Sequence, residues 1–181
     1  MNLQSDDFEL FGVPRRHAQD GARLDARWKE LQREVHPDRF SAQGAAAQRV
    51  SMQWSVRINE AYQRLRDPLR RAAYLCELAG MPVNAENNTA MPASFLMRQM
   101  QWREELDEAP DLDSLEVLAD QVASERREVL RRCELAIDQQ QDFSEAVAQV
   151  RSLMFIELFA AEVEARIDAW HDATGRTDKG Q

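Results

Sequence analysis

The sequence predicts an all-α protein in which a helical hairpin is followed by a three-helix bundle. Ala, Leu, Glu, Arg and Gln are frequent among the 181 residues, against only six Gly and six Pro, and this composition favours helix. Apolar residues recur every three or four positions, as in amphipathic helices. The segment 81–92 lacks this spacing and is rich in Asn and Pro. We therefore expect an N-terminal domain over 1–80, a linker over 81–92, a C-terminal domain over 93–172 and a disordered tail over 173–181.

Two helices of the first domain are predicted to pack as an antiparallel hairpin. The first covers 22–35, and Pro37 ends it because a proline ring disfavours helical geometry in the residue before it. The second covers 45–66, and the short connection around 41–44 lets it fold back along the first. A further apolar stretch over 69–78 completes the domain. The apolar positions expected to pack in the hairpin are Leu24, Trp28, Leu31, Val35, Val50, Trp54, Ile58, Ala61 and Leu65.

The second domain is predicted to contain helices over 93–108, 112–140 and 143–171. Asp111 or Asp113 would cap the second of these helices, and Asp142 the third. The last two helices are long, so we expect them to pair lengthwise within a three-helix bundle. The apolar positions expected between them are Leu115, Leu118, Val122, Val129, Ile137, Val147, Val150, Met154, Leu158 and Val163.

Charge divides the chain into unlike halves. The net charge is −9, but residues 1–80 include 13 basic and 11 acidic side chains, whereas residues 81–181 include 10 and 21. The acidic half argues against nucleic acid as a partner, because that affinity depends on neutralising phosphates. No apolar run approaches the length of a membrane span, and the acidic N-terminus lacks the features of a secretory signal. We expect a cytoplasmic protein that does not bind membranes.

No metal site or other cofactor site is predicted. Cys76 and Cys133 form no closely spaced pair and lie within helical patterns, which indicates buried thiols in a reducing compartment. His17 and His171 have no ligand spacing relative to His36.

The triplet His36-Pro37-Asp38 is the clearest functional signal. It should occur by chance in only about one chain in a hundred of this length, since none of its residues is common. It places an imidazole and a carboxylate on a turn that proline stiffens, exposed between two helices. Such a turn suits recognition of a cationic group on a partner, whereas catalysis would need further converging groups.

Basic residues precede and follow the triplet. They are Arg23, Arg27, Lys29, Arg33 and Arg39. Taken alone, such a run is most often a solvated helix face. Beside an exposed triplet, it favours a surface that steers and orients an acidic partner.

The sequence resembles a known family over nearly its whole length, up to about Trp170. The triplet between two helices, followed by Ile58-Asn59-Glu60-Ala61-Tyr62, is similar to a J-domain. The further motifs are Phe8-Glu9-Leu10-Phe11-Gly12-Val13-Pro14, His36-Pro37-Asp38-Arg39-Phe40, Asp67-Pro68-Leu69-Arg70-Arg71-Ala72-Ala73-Tyr74-Leu75, Phe95-Leu96-Met97 and Arg103-Glu104-Glu105-Leu106-Asp107-Glu108. Together they resemble the HscB-type J-domain co-chaperones of iron–sulfur cluster assembly.

The resemblance implies an L-shaped protein with two partners. His36, Pro37 and Asp38, with the basic helix, would engage HscA, a DnaK-type chaperone, and promote hydrolysis of its ATP. The C-terminal bundle would bind IscU, the scaffold on which clusters are built. The residues implied for the client are Leu96, Met97, Met100, Arg103, Glu104 and Phe155. No residue of this chain would be catalytic.

This sequence departs from the family at a few positions. Val35 and Arg39 stand where relatives often have an aromatic residue and a lysine, which preserves the apolar and the cationic character. Arg98 and Gln101 stand where relatives can be acidic, so the electrostatics of the client surface differ.

The helix over 93–108 itself gives support for a binding surface, because its apolar residues form two stripes. Phe95, Gln99, Trp102 and Leu106 share one stripe, and Leu96, Met100 and Arg103 share another. One stripe can fill the core while the other contacts a partner. Periodicity alone also allows Leu96, Met97 and Met100 to be core residues.

Three other interpretations remain open at this point. The chain could be a J-protein that serves a different chaperone or client. It could be a small metal-dependent hydrolase that uses His36 and Asp38. It could also be a purely structural helical protein in which the triplet is accidental.

Overall fold

The computed structural model describes residues 4–83 and 93–177 and confirms the all-α prediction. It divides into two compact units, Met1–Gly80 and Met81–Gln181. Of the predicted linker, only residues 81–83 lie within the described part of the chain, as do residues 173–177 of the predicted tail. None of the described helices combines the length and the apolar character needed to cross a membrane.

The described residues of the first unit form four α-helices and one 3-10 helix. These are α1 (Asp7–Phe11), α2 (Gly21–Glu34), the 3-10 helix (Pro37–Gln43), α3 (Ala45–Arg66) and α4 (Pro68–Leu78). Aspartates cap two of these helices. The Asp20 carboxylate accepts hydrogen bonds from two backbone N–H groups of α2. Asp67 caps α4, which begins at Pro68. The left-handed Gly12 ends α1.

Most of the predicted hairpin core is buried, but three of its predicted residues are not. Leu24, Leu31, Ile58, Ala61 and Leu65 are completely buried, but Val50 is exposed and both Trp28 and Trp54 are only half-buried. The position expected for Val50 is occupied by Ser51, which is buried and donates a hydrogen bond from Oγ to the Val35 carbonyl. The side chain buried at this turn of α3 is therefore a polar one, and its hydroxyl is bonded to the residue that follows α2.

The buried carboxylate of Asp7 attaches α1 to the rest of the unit. It lies 2.6 Å from Arg57 Nη2 and 2.9 Å from Arg64 Nη1. The Asp7 N–H donates to the Tyr74 hydroxyl at 3.2 Å, and the Tyr74 ring stacks on Phe8. Both arginines belong to α3, so this cluster joins the short first helix to the hairpin.

A second polar cluster attaches the loop before α2 to α4. Arg71 is buried and donates from Nε to the His17 carbonyl at 2.7 Å and from Nη1 to the Leu65 carbonyl. The His17 ring is also buried, with Nε2 lying 3.2 Å from the Pro68 carbonyl oxygen. The sequence analysis did not predict this role for either residue.

The second unit contains the predicted helices with altered ends. They are α5 (Ala93–Glu108), α6 (Leu112–Glu134), a π-helical segment (Leu135–Gln140) and α7 (Phe143–Thr177). The helix predicted as continuous over 112–140 is therefore α-helical up to Glu134 and π-helical from Leu135 to Gln140. Gln141, which follows it, has a left-handed backbone conformation. Asp111, rather than Asp113, caps α6, and Asp142 caps α7. The last helix also continues beyond its predicted end at 171.

The three helices of the second unit pack around a continuous core. The antiparallel pair α6 and α7 forms the largest contact, and α5 packs on it through Phe95 and Trp102. The Trp102 ring stacks on Phe159 with centroids 5.6 Å apart. Leu158, predicted to lie in this core, is instead exposed, because α7 turns Ile156, Phe159 and Val163 inward.

The two cysteines are buried, as predicted, and form no disulfide. Burial raises the pKa of the Cys76 thiol to about 11. The thiol is therefore protonated and unreactive at neutral pH.

Replacing Asp7 by Ala is expected to destabilise the first unit by about 2 kcal/mol, because two arginines lose their carboxylate partner. The free energy of urea unfolding measures this effect. Glu60→Ala, at an exposed position of α3, is the matched control and should change that free energy by less than about 0.5 kcal/mol. Equal values for the two variants would contradict the role assigned to Asp7.

Candidate functional site

The triplet lies at the exposed tip of the hairpin, as predicted. His36 caps the 3-10 helix that begins at Pro37, and its Nδ1 accepts a hydrogen bond from the Asp38 N–H at 3.3 Å. The side chain of His36 is 58% exposed and that of Asp38 is 90% exposed, with His36 Nδ1 and Asp38 Oδ2 3.5 Å apart. Imidazole and carboxylate are therefore adjacent, and both are accessible to a partner.

Hydrogen bonds hold the tip on both sides. Before the triplet, Val35 is buried and its carbonyl accepts from the Ser51 hydroxyl of α3. After it, the Arg39 guanidinium donates from Nη1 to the Arg33 carbonyl at 3.2 Å, which ties the 3-10 helix to the end of α2. These contacts fix where the chain leaves α2 and where it turns towards α3.

A ladder of polar contacts fixes the register of α2 against α3. Near the tip, the Ser55 hydroxyl donates to Gln32 Oε1 at 2.8 Å. One step further along, Asn59 Oδ1 accepts from Gln32 Nε2 at 2.7 Å and from Trp28 Nε1 at 2.9 Å. The Trp28 ring also stacks on Tyr62. Moving along α2 from one of these contacts to the next corresponds to moving three or four residues backwards along α3. The contacts therefore fit one antiparallel register of the two helices.

The ladder ends at Asp25, whose carboxylate binds two groups of α3. The Tyr62 hydroxyl donates to Asp25 Oδ1 at 2.8 Å, and Arg66 Nε donates to the same oxygen at 3.0 Å. The Tyr62 hydrogen bond, followed by Arg66, holds the pKa of the Asp25 carboxyl below its ordinary value. The same hydrogen bond raises the pKa of Tyr62. At neutral pH the carboxylate is thus ionised and the phenol protonated, as this hydrogen bond requires.

The predicted basic residues of α2 occupy two strips rather than one. At about 100° per residue, Arg23 and Arg27 share a flank with two glutamates. Arg27 Nη1 lies 3.1 Å from Glu30 and 3.8 Å from Glu34, so its charge is largely neutralised. Lys29 and Arg33 instead share the outer face, where both are exposed.

The outer strip continues directly to the tip. Lys29 and Arg33 lie one turn apart on α2, and Arg39, which is also exposed, bonds the carbonyl of Arg33. The positive surface beside the triplet is therefore formed chiefly by these three residues.

In the second unit, α5 separates its two stripes as the sequence predicted. Phe95 and Trp102 are buried, whereas Met97 and Met100 are 72% and 73% exposed and Leu96 is also exposed. Methionine side chains are flexible and polarisable, and they are common on protein-binding surfaces. The alternative that Leu96, Met97 and Met100 are core residues is therefore wrong.

Phe155 and Arg103 join this surface to α7. The Phe155 ring meets Phe95 edge-on with centroids 5.8 Å apart, and the Arg103 guanidinium lies 5.8 Å from the centroid of Phe155. Arg103 Nη1 also lies 3.4 Å from Glu162. Glu104, the last predicted client residue, is exposed on α5. The client surface denotes the six residues that the sequence analysis predicts to contact a client: Leu96, Met97, Met100, Arg103, Glu104 and Phe155.

Among the described residues, no three or more His, Cys, Asp or Glu side chains form a group that could hold a metal ion. A cavity of about 210 Å³ lies in the second unit and is lined by Phe95, Arg98, Glu125, Val129, Arg132, Gln149 and Ser152. Neither the triplet nor the exposed side chains of the client surface line this cavity.

Comparison with known proteins identifies the family. Residues 91–172 match the family model described as the HSCB C-terminal oligomerisation domain. Proteins called co-chaperone protein HscB homolog from Burkholderia mallei and Burkholderia multivorans are each 47% identical over 171 residues, which cover 93% of this chain and 97% of each relative.

Solved structures agree. Chaperone HscB from Vibrio cholerae superposes with a TM-score of 0.79 at 34% identity, covering 91% of this chain and 99% of that one. Human co-chaperone protein HscB superposes with a TM-score of 0.82 at 28% identity, and the match covers 93% of this chain and 83% of the human chain. The chain therefore belongs to the HscB family of co-chaperone proteins.

Proposed function

We propose that this protein stimulates the ATPase of the DnaK-type chaperone HscA in the cytoplasm and delivers the scaffold protein IscU to it during iron–sulfur cluster assembly and transfer. The observation that carries the proposal is the exposed, hydrogen-bonded tip formed by His36, Pro37 and Asp38. Family membership supports a co-chaperone role.

The tip provides a contact for the chaperone rather than a catalytic group. The exposed Asp38 carboxylate can accept charge-assisted hydrogen bonds from a cationic group of the chaperone. Lys29, Arg33 and Arg39 attract an acidic surface and orient it at the tip. The nucleotide and the hydrolytic groups belong to the chaperone, so this chain acts by shifting the chaperone towards its hydrolysing state.

The client surface provides the second contact. It combines three exposed apolar side chains with an aromatic ring that Arg103 partly covers, and this is the composition of a protein-binding surface. A chain that binds chaperone and client at once raises the effective concentration of one near the other. Delivery therefore requires no catalysis by this protein.

Replacing Asp38 by Asn is expected to reduce stimulation of HscA ATPase by about tenfold or more, because a neutral amide loses the charge-assisted contact. Steady-state phosphate release from HscA measures the effect. Glu77→Gln removes an exposed carboxylate at the end of α4 and is the matched control, which should stimulate like the wild type. Full stimulation by Asp38→Asn would refute the mechanism.

Replacing Leu96 or Met97 by Ala is expected to raise the dissociation constant for IscU about fivefold each, because exposed apolar contact area is lost. Isothermal titration calorimetry measures this change, and circular dichroism should show unchanged helicity. Val117→Ala, at an exposed apolar position of α6, is the control. Equal affinities for all three variants would place the client elsewhere.

A further inference from the structure

Leu158 is exposed without a structural reason within its own unit. Among the described residues of α7 it is the one exposed large apolar side chain, with 69% of its surface accessible. The inward face of this helix is already formed by Ile156, Phe159 and Val163. Placing a leucine in water in this way forgoes the stabilisation that burial would provide. Folding of the unit therefore does not use the Leu158 side chain, which is accessible to a partner.

The position of Leu158 on α7 makes it continuous with the client surface. It follows Phe155 by three residues and precedes Glu162 by four, so all three lie on one side of the helix. Arg103 of α5 contacts both of these neighbours, the Phe155 ring at 5.8 Å and the Glu162 carboxylate at 3.4 Å. On α5, Arg103 shares a stripe with Leu96.

We infer that Leu158 extends the client surface along α7 beyond Phe155, so that a second side chain of this helix contacts the scaffold protein. This inference rests on the proposed function and deepens it, because it adds a residue that contributes to affinity. The Arg103–Glu162 ion pair connects α5 to α7 at this point.

Charge indicates the chemistry of the partner that covers Leu158. Arg103 is paired with Glu162, and the exposed residues that follow along α5 are acidic: Glu104, Asp107 and Glu108. A complementary surface therefore presents apolar side chains bordered by Lys or Arg. A second copy of this chain fits poorly, since residues 81–181 carry 10 basic and 21 acidic side chains and two such halves repel each other.

The test is calorimetric titration of full-length variants with purified IscU. Leu158→Ala should raise the dissociation constant about threefold, and Leu158→Lys about tenfold or more, because a lysine also repels a basic partner. Leu158→Glu should weaken binding less than Leu158→Lys. Val117→Lys is the matched control, since Val117 is 57% exposed on α6, and it should bind within about twofold of the wild type. Circular dichroism should show the same helicity for all variants.

The outcomes separate this inference from the proposed function. If Leu96→Ala weakens IscU binding but Leu158→Lys does not, the client surface does not reach beyond Phe155 on α7 and the inference is wrong while the proposed function stands. If the wild type binds no IscU, the proposed function fails and the inference fails with it. If sedimentation shows a wild-type dimer that Leu158→Lys dissociates, a second copy covers Leu158 and the inference is overturned.

Discussion

The register of α2 against α3 is the constraint on which the geometry of the hairpin tip depends. Apolar packing alone would tolerate small slips between two helices, but the ladder centred on Gln32 and Asn59 is satisfied in one register only. That register brings Ser51 opposite Val35. The Ser51 hydroxyl there donates a hydrogen bond to the Val35 carbonyl at the end of α2. Tip geometry thus follows from hairpin geometry, and a short rigid turn can present two functional groups at low entropic cost on binding.

The two units use opposite means to prepare their surfaces. In the first, polar contacts hold a small tip whose functional groups are themselves polar. In the second, a well-packed core of aromatic rings, such as Trp102 on Phe159, supports an outer stripe that remains apolar and exposed. The buried stripe of α5 fixes this helix in the bundle. Met97 and Met100 can therefore stay exposed while the bundle remains stable.

Sequence periodicity predicted the helices closely because helix formation is a local property, and the caps at Asp20, Asp67, Asp111 and Asp142 mark their starts. It also separated the two stripes of α5. It was wrong about Val50 and Leu158, because three-to-four spacing cannot tell the central face of a helix from its flank. The ion pairs of Asp7 and the contacts of Arg71 join residues distant in sequence, and no local pattern marks them. The pairing of Arg27 with glutamates was likewise visible only once the helix faces were fixed.

The most direct test of the constraint on the tip is amide hydrogen exchange in Ser51→Ala. The Arg39 N–H donates to the His36 carbonyl at 3.0 Å and reports on the tip, while amides in the middle of α4 serve as an internal control. Losing the Ser51 hydroxyl, a hydrogen bond of about 1 kcal/mol, should speed exchange at Arg39 about fivefold and leave α4 unchanged. An unchanged rate at Arg39 would show that the tip holds its shape without the hairpin contacts and would contradict the account.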